Sequence, residues 1–209
     1  MGVDGRLFKN LQLENCNILH VKWLTPEKNE PLAEYAMRLS AQIDTSRPFA
    51  LAGVSFGGMC SVEIAKRLNP VKTFVISSCK KSSELPWKIT LWKNLSVYKY
   101  LSDARYITGA MLVRKQFGVT TQEQKERFLE MLKAAPKNYF SGAVHCIMNW
   151  KNEIVPETVV QIHGTADDVL PHRKIECDYK IERGTHFMIV NRAKEINAII
   201  NRELEGFTA

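Results

Sequence analysis

Apolar positions along the chain follow two rhythms. Short runs rich in branched and aromatic residues occupy 16–23, 49–54, 71–77 and 158–163, and a weaker one lies within 174–181. Each reads as a strand, and the short apolar run of 71–77 suits a buried strand of a parallel sheet. Between them the period lengthens to that of a helix. Leu32, Tyr35, Ala36, Leu39 and Ile43 form one stripe over 31–43, 59–68 continues helically, and 193–204 closes the chain in the same way. Asn69-Pro70 and Ser46-Arg47-Pro48 punctuate the segments as stops and turns. Strand and helix alternate, which predicts an α/β fold with a mostly parallel sheet and helices on both faces.

The middle of the chain breaks this alternation. From about 80 to 150 the periodicity is helical throughout. Trp87, Leu91, Trp92, Leu95, Tyr98 and Leu101 recur at helical spacing, and 107–117 forms a second stretch. Thr120 and Thr121 are followed three places on by Glu123 and Gln124, the capping-box signature of a helix that runs to about 135 and stops at Pro136. A last apolar stretch passes through Phe140, Val144, Ile147 and Met148. The expected organisation is therefore a core of 1–79 and 152–209, with 80–151 inserted as a helical cap over the C-terminal edge of the sheet.

Composition narrows the class. A chain of 209 residues, 45% hydrophobic and 24% charged, has an ordinary globular make-up with room for a sizeable core. No apolar run reaches the length of a membrane span. The start of the chain lacks a signal-peptide core, and Arg6 occupies the position where a myristoylation signal needs Ser or Thr. Five scattered cysteines without C-x-x-C spacing read as reduced thiols, and a cytoplasmic protein is expected. The net charge of +7 is localised: 80–151 carries 13 Lys and Arg against 5 Asp and Glu, while the remainder nearly balances. Such a segment can attract an anionic substrate or carrier. No nucleic-acid-binding motif accompanies the charge, no nucleotide-binding Gly loop is present, and His and carboxylates show no metal-ligand spacing. No cofactor, metal, nucleic-acid partner or stable membrane insertion is expected.

Candidate chemistry centres on Gly53-Val54-Ser55-Phe56-Gly57, a G-x-S-x-G pattern between the 49–54 strand and the helix after it. A serine on so tight a strand-to-helix turn is held in a strained conformation with its hydroxyl above the sheet, and the helix N-terminus favours negative charge at the same spot. The pattern alone is common in soluble proteins. Two later segments give it weight: His163-Gly164-Thr165-Ala166-Asp167-Asp168 after a strand, and Gly184-Thr185-His186-Phe187 before the last helix.

Taken together and in this order, Ser55, the Asp167 loop and His186 make the chain resemble the α/β-hydrolase family, most of all its esterase-like bacterial members with a helical cap. The resemblance implies acyl transfer by a Ser55–His186–Asp167 triad. Ser55 would be the nucleophile, His186 the base and then the acid, and Asp167 the group that orients the imidazole. Asp167 is preferred to Asp168 because it is the third residue after Gly164, the family position. His163 reads as structural; His20, His145 and His172 carry no assignment. The Phe56 amide is the expected first oxyanion donor. Met1-Gly2-Val3-Asp4-Gly5 resembles the family's oxyanion loop, so the second donor is expected at Met1 or Gly2. The strand that carries this loop in the family is missing. The expectation is a truncated reading of a longer protein, or another element in its place.

The implied activity is cleavage of a small to medium carboxylic ester through an acyl-enzyme on Ser55. A thioesterase or an acyltransferase would use the same residues. A non-catalytic small-molecule-binding protein of this fold is the contrasting class.

Overall fold

A computed structural model describes residues 1–87 and 97–207. Four strands form one all-parallel sheet in chain order: β1 (Ala50–Val54), β2 (Lys72–Ile76), β3 (Val159–Gly164) and β4 (Tyr179–Ile181). Among the described residues seven α-helices surround the sheet: α1 (Leu32–Ser40), α2 (Phe56–Leu68), α3 (Asp103–Leu112), α4 (Gln122–Lys133), α5 (Tyr139–Asn149), α6 (Met188–Asn191) and α7 (Ala193–Glu203). β2 and β3 are buried along most of their length, Thr73, Gln161 and His163 included. α1 packs on α2, and α2 on β1 and β2, through a core that includes Tyr35, Phe56, Phe74 and Ile162.

The register fixes where the chemistry can gather. Val54 lies beside Ile76, Ile76 beside Ile162, and Gly164 beside Ile181. All four strands therefore end at one edge, and the loops that follow them emerge together. In open parallel sheets that edge is where ligands bind.

Between β2 and β3 the described residues contain no strand, only α3, α4, α5 and 3-10 turns at Ser82–Glu84, Val97–Tyr100 and Arg114–Phe117. Of the two capping candidates, Thr120 and Thr121, the structure uses Thr121 to begin α4. The Thr121 hydroxyl accepts from the Gln124 amide at 3.2 Å, and the Gln124 carboxamide oxygen accepts from the Thr121 amide at 3.1 Å. The stretch 107–117 divides, α3 ending at Leu112 and a 3-10 turn following. Of the periodic apolar set beginning at Trp87, the positions Leu91, Trp92 and Leu95 fall outside the described residues.

One expected strand is absent. Residues 16–23 form no strand and pair with none among the described residues. The Lys22 backbone bonds instead to the Gln42 side chain, as donor and as acceptor, at 3.0 Å each. Ile18, Leu19 and Val21 are left exposed. β1 correspondingly stands at the edge of the sheet, with Ala50 and Ala52 exposed.

Candidate active site

The turn after β1 is as tight as the sequence pattern demands. Ser55 has φ 55° and ψ −122°, a conformation that L-residues rarely adopt, and it precedes the first residue of α2. Its amide donates to the Ile76 carbonyl at 3.1 Å, and its carbonyl accepts from the Gly58 amide at 2.9 Å and from the Ser78 hydroxyl at 2.5 Å. These bonds on both sides hold the strained residue in place. A Cβ at Gly53 would lie 2.3 Å from the Gly57 carbonyl oxygen, which explains the small residue two places before the serine. The Ser55 side chain makes no capping bond to the helix. The Phe56 amide opens α2, where the first N–H groups have no partner within the helix and favour an anion.

Asp167 and His186 meet. His186 Nδ1 lies 2.8 Å from Asp167 Oδ2, and both side chains are essentially inaccessible. Asp167 Oδ1 accepts from the Val169 and Leu170 amides at 2.9 and 2.8 Å, so the carboxylate is fixed through both oxygens. An ionised carboxylate only accepts, hence Nδ1 carries the proton toward it and Nε2 of the neutral ring is left as an acceptor. Nε2 is buried and has no hydrogen-bond partner among the described residues. The loops that carry the pair are in backbone contact: the Ala166 amide donates to the Gly184 carbonyl at 3.0 Å, and a Cβ at Gly164 would meet that same oxygen at 2.1 Å. Asp168 takes no part in this contact.

Two partners of the pair were not foreseen. His163, at the end of β3, places Nε2 3.6 Å from Asp167 Oδ2 and donates from it to the Leu170 carbonyl at 2.8 Å. Burial pushes its pKa below the ordinary 6.5. Its role is thus structural, as expected, but its structural target is the Asp167 loop itself. The four-residue spacing from His163 to Asp167 was the available signal. Phe117, from the segment between β2 and β3, sets its ring edge-on to His186 at 5.4 Å, and its carbonyl accepts from the Phe187 amide at 3.1 Å. Nothing in the local sequence pairs Phe117 with the histidine.

Residues 1–3 reach the neighbourhood of α2. The Met1 amine is buried near Cys60, and desolvation pushes its pKa down to about 6. Gly2 is buried beside Phe140 with φ 74°. The Val3 carbonyl accepts from Trp23 Nε1 at 2.7 Å, and the Trp23 ring stacks on Phe56 at 5.6 Å. Among the described residues no three His, Cys, Asp or Glu side chains are grouped to hold a metal ion, and no helix is long and apolar enough to cross a membrane.

A parallel sheet with a strained serine turn after one strand, and with acid and histidine loops after later ones, is the α/β-hydrolase fold. Solved structures share it. An esterase from Thermogutta terrifontis superposes with a TM-score of 0.69 at 12% identity, over 99% of this chain and 87% of that one. A lipase-esterase related protein from Clostridium acetobutylicum gives 0.66 at 19% identity, over 96% and 90%. A hydrolase from Pseudomonas aeruginosa gives 0.67 at 13%, over 90% and 78%. At these identities the likeness is one of fold. No family model and no curated protein matches the chain.

Proposed function

We propose that the protein is a serine hydrolase that cleaves a small to medium carboxylic ester through an acyl-enzyme on Ser55. The observation that carries this reading is the buried, partnerless Nε2 of His186 behind a 2.8 Å bond to Asp167. Burying an acceptor without a donor is costly, and this nitrogen, opposite the one bonded to the carboxylate, is the atom that could take a serine proton. In the proposed cycle Ser55 Oγ attacks the carbonyl while His186 Nε2 takes its proton. The same proton then passes to the leaving alcohol. Water repeats the sequence on the acyl-enzyme and releases the acid. Asp167 favours the imidazolium as it forms. The Phe56 amide is one proposed oxyanion donor, and Met1 or Gly2 would supply the second. Residues 80–151 serve as the cap, bringing Phe117 onto the histidine. The esterase and hydrolase names of the structural relatives support the same class.

The basic excess of 80–151 favours a second reading, a thioesterase whose substrate hangs on an anionic carrier. Labelling with a fluorophosphonate tests the common core of both. Covalent modification of Ser55, lost in Ser55→Ala, is expected; a folded protein that takes no label would instead be a binding protein on this fold. Aryl esters and acyl thioesters assayed side by side then separate the two activities, because salt should slow only cleavage of the carrier-bound thioester.

A further inference from the structure

A cavity of about 320 Å³ opens between the 3-10 turn Gly5–Phe8, α4 and the start of α6. Its volume lies at the lower end of the range for small-molecule sites. None of Ser55, Phe56, Asp167 and His186 lines it. Its apolar lining is made by Leu7, Val119, Phe128, Met131 and Phe187, all of them buried residues. The rim is polar and holds Arg6, Lys9, Arg127 and Glu130, with carboxamides from Gln124 and Asn191.

The rim charges are not equivalent. Arg6 is held by Asp4 at 2.8 Å and by Glu130 at 3.4 Å. Arg127 is held by Glu123 at 2.6 Å. Lys9 is exposed, and no carboxylate pairs with it among the described residues. An apolar floor below one uncommitted ammonium group matches a ligand with one alkyl chain and one negative charge.

We infer that this cavity binds a medium-length alkyl carboxylate, chain on the Phe128–Phe187 floor and headgroup at Lys9. The site is separate from the proposed catalytic one and does not rest on it, although the two share a wall. Phe187 packs its ring 5.4 Å from Phe128 on the cavity side and 5.8 Å from the His186 ring on the other. A chain on that floor therefore touches a ring that touches the imidazole.

Titration calorimetry with octanoate tests the inference on the wild-type chain and on Ser55→Ala. One saturable site is expected in both. Lys9→Glu, an exposed change, should weaken octanoate roughly fivefold, the scale of a solvent-exposed charge pair, and leave neutral octanol unaffected. Acetate should not bind, because it lacks the chain. Val190→Trp, at the cavity wall, should weaken octanoate and octanol alike by filling the space; a thermal melt confirms that the variant is folded. The inference is overturned if octanoate shows no saturable binding, if acetate binds as well, or if Lys9→Glu changes nothing. It is also overturned if octanoate competes directly with the fluorophosphonate for Ser55, which would put the chain in the catalytic site. A protein that binds octanoate but takes no label on Ser55 would refute the hydrolase reading and leave this one standing.

Discussion

Replacing Asp167 by Asn isolates the electronic role of the carboxylate, because the two side chains have nearly the same shape. The structure determines which way the carboxamide must face. Asp167 Oδ1 accepts from two amides, those of Val169 and Leu170, at 2.9 and 2.8 Å. An NH₂ group cannot sit opposite two N–H donors, so the Asn oxygen keeps that position and the NH₂ takes the place of Oδ2. It then points a donor at His186 Nδ1, 2.8 Å away. Nδ1 must become an acceptor, the ring proton moves to Nε2, and the atom that should receive the Ser55 proton already holds one. The analogous change in a serine protease lowers kcat by ~10⁴, which is about 5.5 kcal/mol of transition-state stabilisation. A loss of roughly 10³–10⁴ in kcat/KM is expected here. Stability should change by no more than about 1–2 kcal/mol, since the pair is exchanged for another hydrogen bond of the same geometry. The assay is hydrolysis of a short aryl ester, with a thermal melt as control and imidazole ¹⁵N shifts to report the tautomer. A folded Asn variant that keeps more than about a tenth of the activity, or keeps its proton on Nδ1, would refute the reasoning.

Three further outcomes are expected. Gly53→Ala should lower stability by about 3 kcal/mol and abolish Ser55 labelling, because the new Cβ meets the Gly57 carbonyl oxygen at 2.3 Å and the Gly58 nitrogen at 2.6 Å, both of them backbone atoms; equilibrium unfolding in urea with the probe assay checks this. Thr121→Ala should cost about 1 kcal/mol, roughly 2–4 °C in melting temperature, by removing the cap of α4 while leaving every residue of the proposed triad in place. His163 is held neutral by burial, with a folded pKa below its ordinary 6.5. The unfolded chain therefore binds the extra proton first, so this contribution is complete above pH 6.5 and is lost as pH falls below it. Melts of wild type and His163→Asn across that range should show a shallower acid slope for the variant, and equal slopes would remove His163 from the account.

Much of the architecture was legible because burial writes itself into local pattern. Val71 to Ser77 suited a buried parallel strand, and the paired capping signatures at Thr120 and Thr121 marked the start of α4 to within a residue. The 16–23 stretch shows where that logic stops. Cys-Asn-Ile-Leu-His-Val-Lys-Trp has the composition of a strand, but a strand is defined by its ladder, and the partner is non-local. Where no neighbour is present, the backbone takes what it can reach. Here that is the Gln42 carboxamide, and Ile18 at 44% and Leu19 at 63% exposure stay in solvent. The propensity of 16–23 and the open edge of β1 are two sides of one missing pairing. Neither can be read from a window of eight residues.

The candidate site divides along the same line. Ser55, Asp167 and His186 could be singled out as candidates because each lies in a short motif, two of them shaped by close backbone approaches: Gly53 by that of Gly57, Gly164 by that of Gly184. Phe117 was not, because no local pattern pairs it with the histidine, and the four-residue spacing from His163 to Asp167 went unread as a contact. His163, at the end of β3, lies 3.6 Å from the carboxylate four residues on, and Phe117, from the segment between β2 and β3, sets its ring edge-on to His186. These unforeseen contacts add to the expected Asp167 bond in fixing the imidazole. Asp167 orients one nitrogen, Phe117 packs on the ring, and His163 ties down the Leu170 end of the acid loop. A motif can place a histidine on the right loop. Its proton and its ring plane are set by neighbours that the motif does not contain, so substitutions at Phe117 and His163 belong beside those at the motif residues in any test of this site.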